Sequence, residues 1–87
     1  MNDSINTSSV EAKVREVLAQ HGGLKQHIST IAEDISLSDA GMTSHASVNV
    51  MLALEAQFGE IPDRMLTRSV FRSVSSIAQA MSELATH

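Results

Sequence analysis

The residue with the clearest chemical potential is Ser44, which follows a loop containing Gly41 and opens an apolar stretch that runs to Phe58. The first amides of a helix lack partners within the helix, and the helix dipole favours an anion there. A serine at this position can therefore display its hydroxyl as the attachment point for a phosphodiester. It can equally be a helix cap, a role open to Thr43 as well and worth about 1 kcal/mol. The residues alone leave both interpretations open.

The histidines are less specific. They show no metal-ligand spacing and no cysteine accompanies them, so we expect surface or capping roles and no metal site for His21, His27, His45 and His87. A hydrolase that uses Ser44 with His45 is disfavoured. Neighbours on a helix point in different directions, and no acid is placed to orient the histidine. We therefore expect no catalytic residues and no enzymatic activity.

Three arginines, Arg64, Arg68 and Arg72, recur every four residues and could form a basic stripe. Such a stripe is often only a solvated face with small individual contributions. It could instead contact a partner protein or a phosphate near Ser44. Spacing alone does not separate the two.

The composition indicates one small helical domain. Eighty-seven residues are near the lower end of what buries its own core, and 43% of them are apolar, so the chain should fold. With two Phe and no Trp or Tyr, the core must be aliphatic, which suits helices packed on helices. There is no cysteine, so any reactive thiol would have to arrive on a cofactor.

Charge and hydropathy limit the partners and the location. A net charge of −4 argues against nucleic acid, which requires a concentrated positive surface. No apolar run is long enough to span a bilayer, and the polar N-terminus lacks the features of a signal peptide. We expect a cytoplasmic monomer that binds neither nucleic acid nor membrane.

The pattern predicts a flexible N-terminus over residues 1–7 and a domain over residues 8–87. Ser8 and Glu11 fit a capping box for a first helix that ends near His21, before two glycines. A long loop follows, pinned at intervals by apolar residues, with one helical turn around residues 28–33. Loops of this length in small domains are more often functional than passive.

After this loop we predict a second helix over about residues 44–57, a short helix from Pro62 or Asp63, and a last helix capped near Ser73. A period of about 100° per residue assigns to the core Ser47, Val50, Met51, Leu54 and Phe58. The opposite face collects His45, Asn49, Leu52, Ala53 and Ala56. This uncharged face is either a contact surface for a partner or is covered by the third helix.

Residues 39–58, together with 60–63 and 73–77, resemble the acyl carrier protein family. The resemblance covers nearly the whole chain and is sharpest from Gly41 to Phe58. It implies three main helices and one short helix, with a long loop between the first two. It also implies that Ser44 bears a 4′-phosphopantetheine arm, which a phosphopantetheinyl transferase takes from coenzyme A. The thiol of that arm would hold a cargo as a thioester.

The chain departs from the family where partners dock. The usual triplet Asp-Ser-Leu is Thr43-Ser44-His45 here, and the usually acidic second helix has Asn49 and Leu52 instead. Without these acids, charge should steer a partner less and apolar contact should matter more than for a fatty-acid carrier.

A narrower resemblance concerns residues 40–55, 62–66 and 68–71. They are similar to small bacterial aminoacyl carrier proteins, which are loaded by a ligase resembling the catalytic core of seryl-tRNA synthetase. This implies a small amino acid, such as glycine or alanine, as cargo. It also implies ligase docking near Ser44, Asn49, Leu52, Arg64 and Arg68. The alternatives are a fatty-acyl or polyketide carrier and a helical interaction module with an unmodified Ser44.

Overall fold

The computed structural model describes residues 7–85 and contains, in that range, three α-helices: α1 (Thr7–His21), α2 (Ser44–Phe58) and α3 (Val74–Ala85). Single 3₁₀ turns at Ile28–Thr30 and Asp63–Met65 lie in the two connections. The predicted all-helical class is confirmed, and the predicted short helix is the second of these turns. Within residues 7–85 no helix is both long enough and apolar enough to cross a membrane.

The start of α1 differs from the prediction. Thr7 is already helical, so Ser8 lies inside the helix and not at its cap. The Glu11 carboxylate accepts a hydrogen bond from Arg15 Nε at 3.0 Å, one turn further along the helix. Residues 1–6, expected to be flexible, lie outside the described residues. The predicted end is confirmed: Gly22 N donates to Leu18 O, and Gly23 has a φ of 63° that ends the helix.

The core forms where α1 packs against both α2 and α3, which contact each other less. Each helix contributes fully buried aliphatic or methionine side chains, namely Val14, Leu18, Val50, Leu54, Val74, Ile77 and Met81. Burying such a side chain stabilises a fold by about 1.5–3 kcal/mol. The position of α2, and therefore of its first residue, is fixed by this packing.

The core face of α2 was predicted only in part. Val50 and Leu54 are fully buried, but the third buried residue of the helix is Ala46. The buried residues of α2 are therefore spaced four residues apart. Three residues that we predicted for the core are only half-buried, namely Ser47, Met51 and Phe58. Four of the five residues assigned to the opposite face are exposed, so α3 does not cover it; Ala53 is half-buried.

The long loop between α1 and α2 is pinned by polar as well as apolar contacts. Arg15 Nη1 donates to Ile28 O at 2.9 Å and to Ile31 O at 2.8 Å. Ile31 and Leu37 insert into the core, as predicted, whereas Ile35 is exposed. The loop is therefore held against α1, and this fixes the position at which the chain enters α2.

Candidate functional site

Thr43, and not Ser44, caps α2. Thr43 has extended backbone geometry, and its Oγ1 accepts a hydrogen bond from Ala46 N at 3.1 Å. Ser44 is the first helical residue and is exposed. Its hydroxyl makes no hydrogen bond with any of the described residues. Of the two cap candidates that the sequence left open, Thr43 is therefore the cap of α2. The Ser44 hydroxyl is exposed and is not used in capping.

The first turn of α2 keeps unpaired donors next to this hydroxyl. Thr43 O accepts both from Ser47 N at 2.9 Å and from Ser47 Oγ at 3.1 Å. The amides of Ser44 and His45 have no partner among the described residues. Unpaired amides at a helix start favour a negative charge there.

The loop before Ser44 is locked by its own hydrogen bonds. Leu37 O accepts from Met42 N at 2.9 Å, and Leu37 N donates to Arg72 O at 2.8 Å. Gly41 has a φ of 111°, and a Cβ there would lie 2.9 Å from Lys25 Cγ. Both the backbone geometry and the neighbouring lysine therefore favour glycine at this position. The loop holds Ser44 in place against the segment that contains Arg72.

A depression of about 390 Å³ opens beside Ser44, and we call it the serine depression. Arg68 and Arg72 line it together with hydroxyl-bearing residues, among them Ser36, Ser38 and Ser69. A smaller neighbouring pocket of about 250 Å³ also contains Ser44 and Arg68 in its wall. Its lining is mostly apolar, with Val48, Met51, Leu66 and Phe71. Ser44 therefore lies between a cationic surface and an apolar one.

The residues predicted to dock a ligase are spread over three surfaces. Arg68 lines the serine depression with Ser44, whereas Asn49 and Leu52 line a depression between α1 and α2. Arg64 lines a third depression, which also contains Glu83. The three arginines do not form one helical stripe, because the 3₁₀ turn ends at Met65 and a series of turns follows.

Val48 is an exposed apolar residue near the site that the sequence pattern did not single out. Val48 is 51% exposed and Leu52 is 54% exposed. They follow Ser44 at intervals of four residues along α2, so the three share one side of the helix. The same period could have found Val48 from the sequence, had it been counted from Ser44 and not from the core.

The histidines have the roles expected of them within the described residues. His21 and His45 are exposed, and His27 Nδ1 accepts from Ser29 N at 3.3 Å as the cap of the first 3₁₀ turn. His87 lies outside the described residues. Met42 and Met65 are buried, which favours core packing for both.

A three-helix bundle that displays an unbonded serine hydroxyl at the start of its second helix has the architecture of a helical carrier domain. The model of the family described as "Phosphopantetheine attachment site" matches residues 12–81, and the chain belongs to that family.

The chain is also similar to individual proteins. It is 42% identical to the aminoacyl carrier protein of Agrobacterium fabrum over 69 residues, which cover 78% of this chain and 83% of that protein. Two crystal structures contain a similar carrier protein from Agrobacterium tumefaciens in complex with an engineered glycine:[carrier protein] ligase of Bradyrhizobium japonicum. In the complex with ATP the TM-score is 0.80 at 39% identity, covering 85% of this chain and 97% of that one. In the complex with AMP it is 0.77 at 41% identity, covering 80% and 95%.

The residues around Ser44 fit the prosthetic group of the family. A phosphodiester is an anion, and the site offers it an exposed hydroxyl as anchor, two unpaired amides and two arginines. No carboxylate is among the described residues that line the serine depression. The donor set is therefore compatible with 4′-phosphopantetheine attached at this point.

Proposed function

We propose that this chain is an aminoacyl carrier protein and that Ser44 bears the 4′-phosphopantetheine group of its family. The observation that carries the proposal is the Ser44 hydroxyl, which is exposed and unbonded to the described residues while Thr43 makes the cap. Membership of the phosphopantetheine attachment family and the similarity to an aminoacyl carrier protein support it.

In this proposal Ser44 Oγ attacks the pyrophosphate of coenzyme A. An Oγ–phosphorus bond forms, a phosphorus–oxygen bond of the pyrophosphate breaks, and adenosine 3′,5′-bisphosphate leaves. A phosphopantetheinyl transferase supplies the metal ion and the base that accepts the serine proton. The chain's own part is presentation: the Thr43 cap and the bonds of Leu37 fix the start of α2 before the transferase arrives.

The attached group would supply the thiol that a chain without cysteine lacks, and that thiol would hold an amino acid as a thioester. Tethering keeps the cargo at a high local concentration wherever the carrier docks. The protein is then a carrier and not an enzyme. We propose that the protein is located in the cytoplasm, where coenzyme A and ATP are available.

Mass spectrometry after co-expression with a phosphopantetheinyl transferase tests the attachment. We expect a gain of one phosphopantetheinyl group in the wild type and in Ser47→Ala, and no gain in Ser44→Ala. Ser47 is a matched control, because it lies one turn away and lines the same depression. A Ser44 that several transferases leave unmodified would refute the proposal and favour an unmodified interaction module.

For the partner, we propose a ligase of the glycine:[carrier protein] class that docks on the side of α2 formed by Ser44, Val48 and Leu52. Val48 and Leu52 are more than half exposed, and α2 has no charged residue except Glu55. Side chains that become fully desolvated in a well-packed pocket of the partner contribute most to such interfaces. Docking should therefore depend weakly on salt, since few charges steer it.

Loading kinetics with a purified ligase, ATP and glycine test this surface. Leu52→Ala and Val48→Ala should each lower kcat/KM for the holo carrier about five- to tenfold, the effect of losing about 1–1.4 kcal/mol of binding. Ile35→Ala is the control, because Ile35 is an exposed apolar residue in the long loop. Equal kinetics for all three variants and the wild type would exclude this docking side.

The cargo can be tested in the same reaction. We expect a mass gain with glycine or another small amino acid and none when fatty acids replace it. The Bradyrhizobium ligase that is seen with a similar carrier is a glycine ligase, which motivates this choice. Loading by a fatty-acyl ligase, with no loading by the amino acid ligase, would favour the fatty-acyl alternative.

A further inference from the structure

We propose that Arg68 and Arg72 bind the phosphodiester that joins the prosthetic group to Ser44. The inference rests on the proposed attachment at Ser44 and adds two positioning residues to it. Both arginines are exposed, and both line the serine depression. Neither forms an ion pair or side-chain hydrogen bond with any described residue, so both guanidinium groups are available to an anion.

The distribution of charge singles out this depression. The chain has a net charge of −4, yet the described lining contains two arginines and no carboxylate. Elsewhere the described depressions differ: the one at Arg64 also contains Glu83, and the one at Asn49 contains Glu16. Asp39 belongs to the loop before Ser44 but does not line the serine depression. Positive charge is thus concentrated next to Ser44.

The backbone of Arg72 is also tied to the loop that leads to Ser44. Leu37 N donates to Arg72 O at 2.8 Å, and Leu37 O accepts from Met42 N, which lies two residues before Ser44. The wall with the arginines and the loop that leads to the serine are therefore joined through one residue. A planar guanidinium can bind two phosphate oxygens at once, which makes arginine well suited to this role.

This arrangement predicts that the prosthetic group stabilises the fold through the two arginines. The quantity to measure is the melting temperature of the holo protein minus that of the apo protein. Arg68→Gln and Arg72→Gln should each reduce this difference by about 1–8 °C, the size expected for an exposed charge pair in a domain of this length. Arg64→Gln is the matched control, since it removes the same charge from a different surface. The hydrogen bond from Leu37 N to the backbone carbonyl of residue 72 should persist in Arg72→Gln, because the substitution changes only the side chain.

Salt and NMR provide independent readouts. In 1 M NaCl, where the screening length is about 3 Å, the wild-type difference should fall towards that of the variants. The Nε–H signals of Arg68 and Arg72 should shift on conversion to the holo form, while that of Arg64 should stay in place. Both readouts concern the carrier alone and need no ligase.

The outcomes separate this inference from the proposed function. Complete modification by mass, with an unchanged holo-minus-apo difference in both variants and unshifted arginine signals, would overturn the arginine role and leave attachment at Ser44 intact. Slower loading by the ligase with no change in those readouts would assign the arginines to the partner instead and would also overturn it. An unmodified Ser44 would overturn both proposals.

Discussion

Removing the Thr43 cap should destabilise the protein measurably. Thr43→Ala deletes the hydroxyl that accepts from Ala46 N at 3.1 Å. The two bonds that Ser47 donates to Thr43 O are made to the backbone and should persist. Loss of a threonine cap costs about 0.5–2 kcal/mol. Ala46 is only 9% exposed, so water replaces the lost acceptor poorly, and we expect the upper half of this range.

Urea and thermal unfolding of the apo protein measure this cost. A loss of about 1.3–2 kcal/mol should lower the melting temperature by about 5–16 °C, because each kcal/mol is worth about 4–8 °C in a domain of this size. Thr43→Ser retains the hydroxyl and should stay within about 0.5 kcal/mol of the wild type. The urea m-value should be unchanged, because the surface exposed on unfolding is the same.

Two results would refute this reasoning. An unchanged melting temperature in Thr43→Ala would mean that the observed hydrogen bond does not hold the start of α2. Equal losses in Thr43→Ser and Thr43→Ala would assign the effect to packing of the threonine methyl group and not to the cap.

Three further changes test the parts that support the site. Gly41→Ala should cost about 1–3 kcal/mol in urea unfolding, because it forces a side chain into a left-handed backbone conformation at a φ of 111°. Arg15→Lys should cost about 1–2 kcal/mol and speed amide exchange in the loop around residues 28–31, whereas Glu11→Gln, which loses only the ion pair, should cost less than about 0.5 kcal/mol. Leu54→Ala should cost about 2–5 kcal/mol because Leu54 is fully buried, and Leu52→Ala, at 54% exposure, should change unfolding by less than about 0.5 kcal/mol.

The sequence predicts the helices well and their faces less well. Both ends of α2 are marked locally, by two polar cap candidates in succession, Thr43 and Ser44, and by Gly59 after Phe58, so its range is predicted within one residue. Its core face is harder, because Ala46 is small and apolar and carries little weight in a hydrophobic pattern. Its burial is decided by the tertiary packing of α2 in the core, which local periodicity does not contain.

The arginines show a different limit of sequence reasoning. A spacing of four residues brings side chains together only on a continuous helix. Here Pro62 precedes a single 3₁₀ turn, and the chain then turns again before α3. Arg64 is thereby separated from Arg68 and Arg72. The useful pair was present in the sequence, but only the tertiary structure distinguishes it from the third arginine.

The cap at α2 could not be assigned from local sequence either. Thr43 and Ser44 are both good cap residues, and a shift of one position would exchange their roles. The long-range bond from Leu37 N to Arg72 O and the local bond from Met42 N to Leu37 O set the register instead. These bonds position the loop before α2 so that Thr43 is the cap residue and Ser44 is exposed.

The same choice of threonine has an electrostatic consequence for the site. An aspartate at the cap would also accept from Ala46 N, but it would add a negative charge next to the phosphodiester proposed at Ser44. Threonine makes the cap without that charge. The unpaired amides of α2 and the guanidinium groups of Arg68 and Arg72 would then act on that anion without an opposing carboxylate among the described residues of the depression. An uncharged cap, a positive depression and a nearly neutral α2 are therefore consistent with both proposals: the positive charge would bind the phosphodiester proposed at Ser44, and apolar contact would bind the partner.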